Sequence, residues 1–319
     1  RSGSSIYSVY NYFYGYGTSM VKNNKINSTA AGGYAYGMYI NFLSGGDGDI
    51  EGNEIVAKGG YGAYGLYAYY PQGSIKNNAV YAKASTRTYA LMCYYPNNAK
   101  VYNNTVHNAG TSGTIYGAYI YMYGAQYSMD FYNNSISKSS SNGYVRYVYA
   151  TNPDNYHSDY NNLYQPSGSL YYNPYTGANY SSIAALRAGT GDDMNSLSYM
   201  PGFMNVNNGD LRPDPSNPNS WALNGRGVQM TGNDKDINGN ARALTTIAGV
   251  PDLGAYEFTP TATPPNCAMA PAAPPVNGTQ VVTFGQDTVA VLNWGNTVPT
   301  GFAVKQYTGT NPPGITSIN

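Results

Sequence analysis

Six short phrases of one design recur along the first half of the chain: apolar, variable, Asn-Asn or Gly-Asn, variable, apolar. They occupy 21–26, 50–55, 75–80, 101–106, 131–136 and, in degraded form, 159–164. The second Asn falls at Asn24, Asn53, Asn78, Asn104, Asn134 and Asn162, in steps of 29, 25, 26, 30 and 28 residues. A repeat of this length marks a stack of similar units, each burying its apolar face against its neighbours.

About 12 to 14 residues beyond the Asn pairs lies a second recurring part, with Met38/Ile40, Leu66/Ala68, Leu91/Cys93, Ile120/Met122 and Val148/Ala150 on one parity. The other parity is mostly tyrosine. Such alternation predicts strands with one buried face. In that register the outward columns read Tyr10, Tyr39, Tyr67, Met92, Tyr121, Tyr149 and Tyr12, Asn41, Tyr69, Tyr94, Tyr123, Thr151. The apolar residues flanking each Asn pair are five apart, the wrong parity for one continuous strand, so the chain must bend between them. Gly52 in the first Asn position points to a left-handed backbone there, which Gly and Asn tolerate best. The second Asn is never replaced. Its amide donates and accepts, so copies stacked at strand spacing can bond along the stack, whereas turn preference alone is the plainer explanation.

Coils of this length with an Asn ladder at one turn resemble the right-handed parallel β-helices of the pectate-lyase-like superfamily; the handedness is implied by that resemblance. Further on, the helix-like 181–188, then Gly191-Asp192-Asp193-Met194-Asn195-Ser196, Asp236-Ile237-Asn238-Gly239-Asn240-Ala241-Arg242 and Asp252-Leu253-Gly254-Ala255-Tyr256-Glu257 follow in order. The series resembles the C-terminal section of secreted bacterial parallel β-helix proteins, with Leu186 where a Trp is usual. An ion pair of Arg242 with Asp252 or Glu257 is expected to close this section. The expected organisation is an all-β chain: coils over 1–165, a C-terminal cap over 166–258 and a Pro-rich linker over 259–275. Residues 276–319 resemble the first strands of a fibronectin type III-like β-sandwich, about half of one, so the native protein is expected to continue. Together the modules resemble adhesins or filament segments exported by type IX secretion.

Lys plus Arg and Asp plus Glu both number 16, and only 10% of residues are charged. No cation excess is available to pair with phosphates, which argues against nucleic acid and polybasic membrane binding. No apolar run is long enough to span a membrane. Cys93 lies on the inward parity as a core thiol, and Cys267 lies in the linker. The sequons at Asn27, Asn103, Asn133 and Asn277 are expected by chance in so Asn-rich a chain. His107 and His157 each stand beside an Asn turn and read as solvated. Asp234, Asp236 and Asn238 resemble the start of a calcium loop, but position 12 is Thr245 where a bidentate Glu is needed, so an Asx-rich turn is the plainer reading.

β-Helix enzymes that cut polysaccharides need carboxylates on outward strand positions. Here those columns hold tyrosine. The expected site is therefore the aromatic face of Tyr10, Tyr39, Tyr67, Tyr69, Tyr94, Tyr121, Tyr123 and Tyr149, touching a polysaccharide or a partner surface protein, or else only stiffening the solenoid by mutual stacking. The expected protein is non-catalytic, secreted or displayed on the cell surface, with the secretion machinery as a further partner. The alternative is a polysaccharide lyase or glycosidase whose catalytic coils lie outside this chain.

Overall fold

A computed structural model describes residues 4–13, 19–42, 48–243 and 249–263, and the backbone alone of 279–284 and 287–292. The chain winds into a parallel β-solenoid of about six coils, each contributing one strand to each of three sheets. The first sheet stacks Ile6–Tyr12, Tyr34–Asn41, Gly62–Tyr69, Arg87–Tyr94, Thr114–Met122, Tyr144–Ala150 and Ser169–Asn173 in parallel, and the antiparallel Ala178–Tyr180 ends it. The second sheet holds the strands entering the Asn turns, from Ser19–Lys22 to Tyr156–Asp159, and the third those leaving them, from Lys25–Ala30 to Asn162–Tyr164.

Stacked apolar columns hold the coils together. Ile26, Ile55, Val80, Val106, Ile136 and Leu163 pair coil to coil and are all buried, as are Ile40, Ala68, Cys93, Ile120 and Val148. Each fully buried aliphatic side chain contributes about 1.5–3 kcal/mol. Burial pushes the Cys93 thiol up to about 12, so it stays protonated and inert.

At the Asn turns the first residue of each pair is left-handed: Asn23 (φ 57°), Gly52 (68°), Asn77 (53°), Asn103 (52°) and Asn133 (56°). In the sixth copy it is Tyr160 (54°), and Leu163, not the Asn pair, sets the register by pairing with Ile136. The ladder residue there is Asn161. Asn162, expected in the ladder, instead exchanges hydrogen bonds with the backbone of Tyr199. Core burial outranks the look of the phrase.

The first-sheet strands do not alternate cleanly. Two successive residues face inward at mid-strand in every full coil, at Gly37-Met38, Gly65-Leu66, Ala90-Leu91, Gly117-Ala118 and Val145-Arg146. A Cβ at Gly37 would lie 2.4 Å from Ile55 Cγ2 and 2.6 Å from the Gly65 carbonyl, which explains why glycine recurs there.

Beyond the sixth coil the helix Ile183–Thr190 packs its buried Leu186 onto the end of the core. Ser182 caps its start, accepting from the Ala185 N–H, and the left-handed Gly191 ends it, so the helix runs two residues past the expected 188. The chain then returns along the side of the solenoid. Its hairpin Phe203–Asn205/Asp210–Pro213 reaches Tyr81, whose hydroxyl donates to the Asn207 carbonyl at 3.4 Å. Residues 224–243 and 249–258 lie along the Asn turns of the third to fifth coils. Arg242 pairs with Glu257 rather than Asp252, and also donates to the side chain of Asn77 and the Gly254 carbonyl. Of residues 276–319, where a fibronectin-like module is expected, the structure describes an antiparallel pair, Thr279–Phe284 with Asp287–Leu292. The rest of that segment, Thr245, Asn277 and Cys267 lie outside the described residues.

Candidate functional site

The stacked mid-strand bend turns the first sheet into three outward columns of tyrosine. The first, Tyr7, Tyr36, Tyr64, Tyr89, Tyr116 and Tyr144, was not anticipated, because strict alternation hides it. A Tyr-Gly/Ala-x-Tyr spacing was the signal available. The second is Tyr10, Tyr39, Tyr67, Met92, Tyr119 and Tyr147, and the third Tyr12, Asn41, Tyr69, Tyr94, Tyr121 and Tyr149. Tyr121 and Tyr149 thus sit one column over from the expected place, and Tyr123 lies past the strand end, 58% exposed. Tyr119-Ile120-Tyr121-Met122-Tyr123 has period two, so a slip of two residues leaves its inward and outward faces unchanged.

Ring geometry decides what this sheet offers. Tyr7–Tyr36, Tyr36–Tyr64 and Tyr64–Tyr89 stack face to face at 4.1, 4.5 and 5.0 Å, within 9° of parallel. Tyr94–Tyr121 and Tyr121–Tyr149 stack at 4.6 and 4.8 Å, and Tyr119–Tyr147 at 4.8 Å. Tyr39–Tyr67 and Tyr89–Tyr116 meet edge to face instead. Most ring faces are covered by a neighbouring ring, leaving edges and hydroxyls outward. Tyr10, exposed and donating to the Tyr12 hydroxyl at 2.8 Å, stands at the first coil.

Electrostatics disfavour these hydroxyls as bases. Desolvation, followed by neighbouring tyrosines, holds Tyr36, Tyr67 and Tyr89 well above the usual phenol range, and pushes Tyr147 up to about 12. All four keep their protons at neutral pH. Tyr12 moves the other way, because the Tyr10 hydroxyl donates to it.

Acids of the first coils are matched by cations on the second and third sheets. Glu51 bridges Lys22 at 2.6 Å and Lys76 at 3.6 Å across three coils, and Glu54 pairs with Lys25 at 3.0 Å. His157 is exposed, whereas His107 is buried, correcting the solvated reading. The returning segment covers it, and its two ring nitrogens lie 2.8 Å from Ser137 Oγ and Ser139 Oγ. Burial lowers its pKa to about 4. The calcium reading gains no support from the geometry. Both carboxylate oxygens of Asp236 already accept N–H groups, from Asn238, Asn240 and Glu257, while Asp234 and Asn238 are exposed. This is an Asx turn. Among the described residues no three His, Cys, Asp or Glu side chains are arranged to hold a metal.

The Asn ladder positions everything above. Each Oδ1 of Asn53, Asn78, Asn104 and Asn134 accepts both the backbone N–H and the side-chain amide of the ladder Asn one coil earlier, at 2.8–3.1 Å. Asn161 takes the same place for Asn134, and its own N–H donates to Ser196 Oγ. Ser196 in turn donates to Asp193 at 2.6 Å, and Asp193 pairs with Arg146 at 2.5 Å. Arg146 occupies an inward position that is Leu66, Leu91 and Ala118 in earlier coils, between the rings of Tyr156 and Tyr171.

Among the described residues no helix is long and apolar enough to cross a membrane. No protein-family model, no curated protein and no solved structure matches the chain.

Proposed function

We propose that this chain is a non-catalytic structural or adhesion protein of the cell surface or extracellular space, with its tyrosine sheet as the contact surface. One observation carries the reading: three outward columns hold tyrosine where a sugar-cleaving β-solenoid needs carboxylates, and the half-buried tyrosines there keep their protons. A contiguous aromatic sheet face, rather than scattered single residues, is the kind of surface that marks a contact site. Because most ring faces are stacked against rings, sugar-on-ring packing is restricted. Edges and hydroxyls suit the mixed apolar and hydrogen-bonding surface of a partner protein better than a saccharide ring. The wider assignment covers a right-handed pectate-lyase-like β-helix, a fibronectin type III-like module and export by type IX secretion. It rests on the ordered phrases 236–242 and 252–257 and on the strand pattern beyond residue 276.

The test combines turnover and binding. Reducing-sugar and unsaturated-product assays over a polysaccharide panel, with and without calcium, should show no turnover; any turnover would overturn the proposal. Adhesion to immobilised extracellular surface proteins should be lost on Tyr67→Ser/Tyr94→Ser/Tyr121→Ser. Unchanged adhesion in that folded variant would remove the tyrosine sheet from the function.

A further inference from the structure

The returning segment covers part of the third sheet and encloses a cavity of about 350 Å³ against it, a volume in the range of small-ligand sites. His107 and Ser139 line it from the sheet, and Met200, Phe203, Val206, Asn217 and Asn219 from the returning segment. The cavity is on a different sheet from the tyrosine columns, and the contact reading does not use it.

The sheet side carries one directed chain of hydrogen bonds. Ser137 Oγ donates to the Val106 carbonyl at 3.4 Å, which leaves its oxygen to accept the His107 Nδ1–H at 2.8 Å. The ring proton is thereby placed on Nδ1. Nε2 is then the bare nitrogen, and it accepts from the Ser139 hydroxyl at 2.8 Å. Burial, which lowers the His107 pKa to about 4, keeps the ring neutral at pH 7 and free to take a proton. Tyr81, stacked at 6.0 Å, and Phe203, edge-on at 6.1 Å, hold the imidazole between them.

A serine hydroxyl bonded to a neutral, oriented imidazole is the arrangement that makes serine a nucleophile. Burial separates the two roles: His107 is 6% exposed, whereas Ser139 is exposed and can meet an incoming group. Met200, Phe203 and Val206 suit a short hydrocarbon chain, and the amides of Asn217 and Asn219 can donate to a carbonyl oxygen. Among the described residues no carboxylate lines the cavity, so a cation finds no partner there. Lys138 borders it too, but its ammonium is committed to Gln165 Oε1 and the Asn142 carbonyl.

We propose that Ser139 is a covalent acyl-acceptor site, taking a short acyl group from an activated ester, with His107 as base and the acyl chain lodged against Met200, Phe203 and Val206. Ser139 Oγ bonds the carbonyl carbon as its proton passes to His107 Nε2. The carbon–oxygen bond of the donor ester then breaks, and the departing alcohol takes the proton from Nε2. The product is one acyl ester per chain, and no glycosidic bond takes part.

The whole chain, incubated at neutral pH with p-nitrophenyl acetate or p-nitrophenyl butyrate, should release p-nitrophenol in a burst of one equivalent. Peptide mass mapping should place the acyl group on Ser139. Ser139→Ala, a change at an exposed position, should abolish the burst. His107→Gln keeps an amide that can bond both serines but cannot take the proton, so acylation should slow about a hundredfold or more while the unfolding midpoint changes little. Met200→Ala, at a side chain that is 53% exposed, should slow butyryl transfer more than acetyl transfer. Acyl groups found only on lysine or tyrosine side chains, or none at all, would overturn the proposal. So would equal rates in the parent and a folded His107→Gln, or a butyryl-to-acetyl rate ratio that Met200→Ala leaves unchanged.

Discussion

At the scale of single residues, the two Asn of each turn have different duties. The first supplies a left-handed backbone, and the second a side chain satisfied on both sides. Asn104 shows the second role in full: its Oδ1 takes two donors from Asn78, and its Nδ2 gives to the Ile75 and Tyr102 carbonyls and to Asn134. Asn104→Ala strands several buried groups at once and should cost about 3 kcal/mol or more. Asn24→Ala, at the exposed start of the ladder, should cost under about 1 kcal/mol. Denaturant midpoints of the two variants measure the difference, and equal costs would mean that the ladder is only a row of turns. The Asn-to-Asn bonds of the ladder all run toward the C-terminal end, where Ser196 passes the chain of bonds to the Asp193 carboxylate. Asp193→Asn leaves the buried Arg146 uncompensated and should cost about 3–5 kcal/mol. Adding Arg146→Met to Asp193→Asn should restore much of that stability, and a double-mutant cycle with no coupling would contradict the pairing.

At the scale of elements, the returning segment explains why the first Asn is not always glycine. Asn77 donates to Asn233 Oδ1 and the Lys235 carbonyl, Asn103 accepts from Asn233, and Asn133 both donates to the Val228 carbonyl and accepts its N–H. Asn103→Gly keeps the left-handed turn but loses this fastening, so it should expose residues 224–258 to limited proteolysis. Asn23→Gly, which the segment does not reach, should leave the digestion pattern unchanged. Cleavage that is identical in the two variants would mean the segment is held by its Arg242–Glu257 core alone. The coils, their strands and the inert Cys93 were legible in the sequence because each repeats a local pattern that burial enforces. Other features were not, and three show why. Asn161 and Asn162 are chemically identical, and only the pairing of Leu163 with Ile136 tells them apart. The Tyr-x-Tyr-x-Tyr run has the strand's own period, so register there depends on neighbouring coils. The contact of residues 224–243 and 249–258 with coils about 100–160 residues earlier is held by Asn side chains and carbonyls that carry no sequence period.

At the scale of the whole molecule, burial of titratable groups gives the stability curve a definite shape on the alkaline side. Lys138 lies on an inward position of the third sheet, 1% exposed, with its ammonium on Gln165 Oε1 and the Asn142 carbonyl and, among the described residues, no carboxylate paired with it. Desolvation lowers its pKa to about 7, against about 10.4 for an unfolded lysine. Between those values the unfolded chain holds a proton that the folded chain has released, so stability rises with pH across that window. The tyrosines act in the opposite sense. Their folded pKa values are raised, so above about pH 10 the unfolded chain loses protons that the folded sheet retains, and stability falls. The two effects together place a maximum near pH 9 to 10, followed by a steep decline, because many tyrosines titrate over the same narrow range on unfolding. Urea midpoints taken at successive pH values from 7 to 11 should climb, peak and drop in that order. Lys138→Met should flatten the climb and leave the drop intact, whereas Tyr36→Phe/Tyr67→Phe should soften the drop and leave the climb intact. A parent curve already falling between pH 7 and 9 would mean that Lys138 keeps its charge inside the fold. The third sheet would then have to hold an ammonium ion on two neutral oxygens.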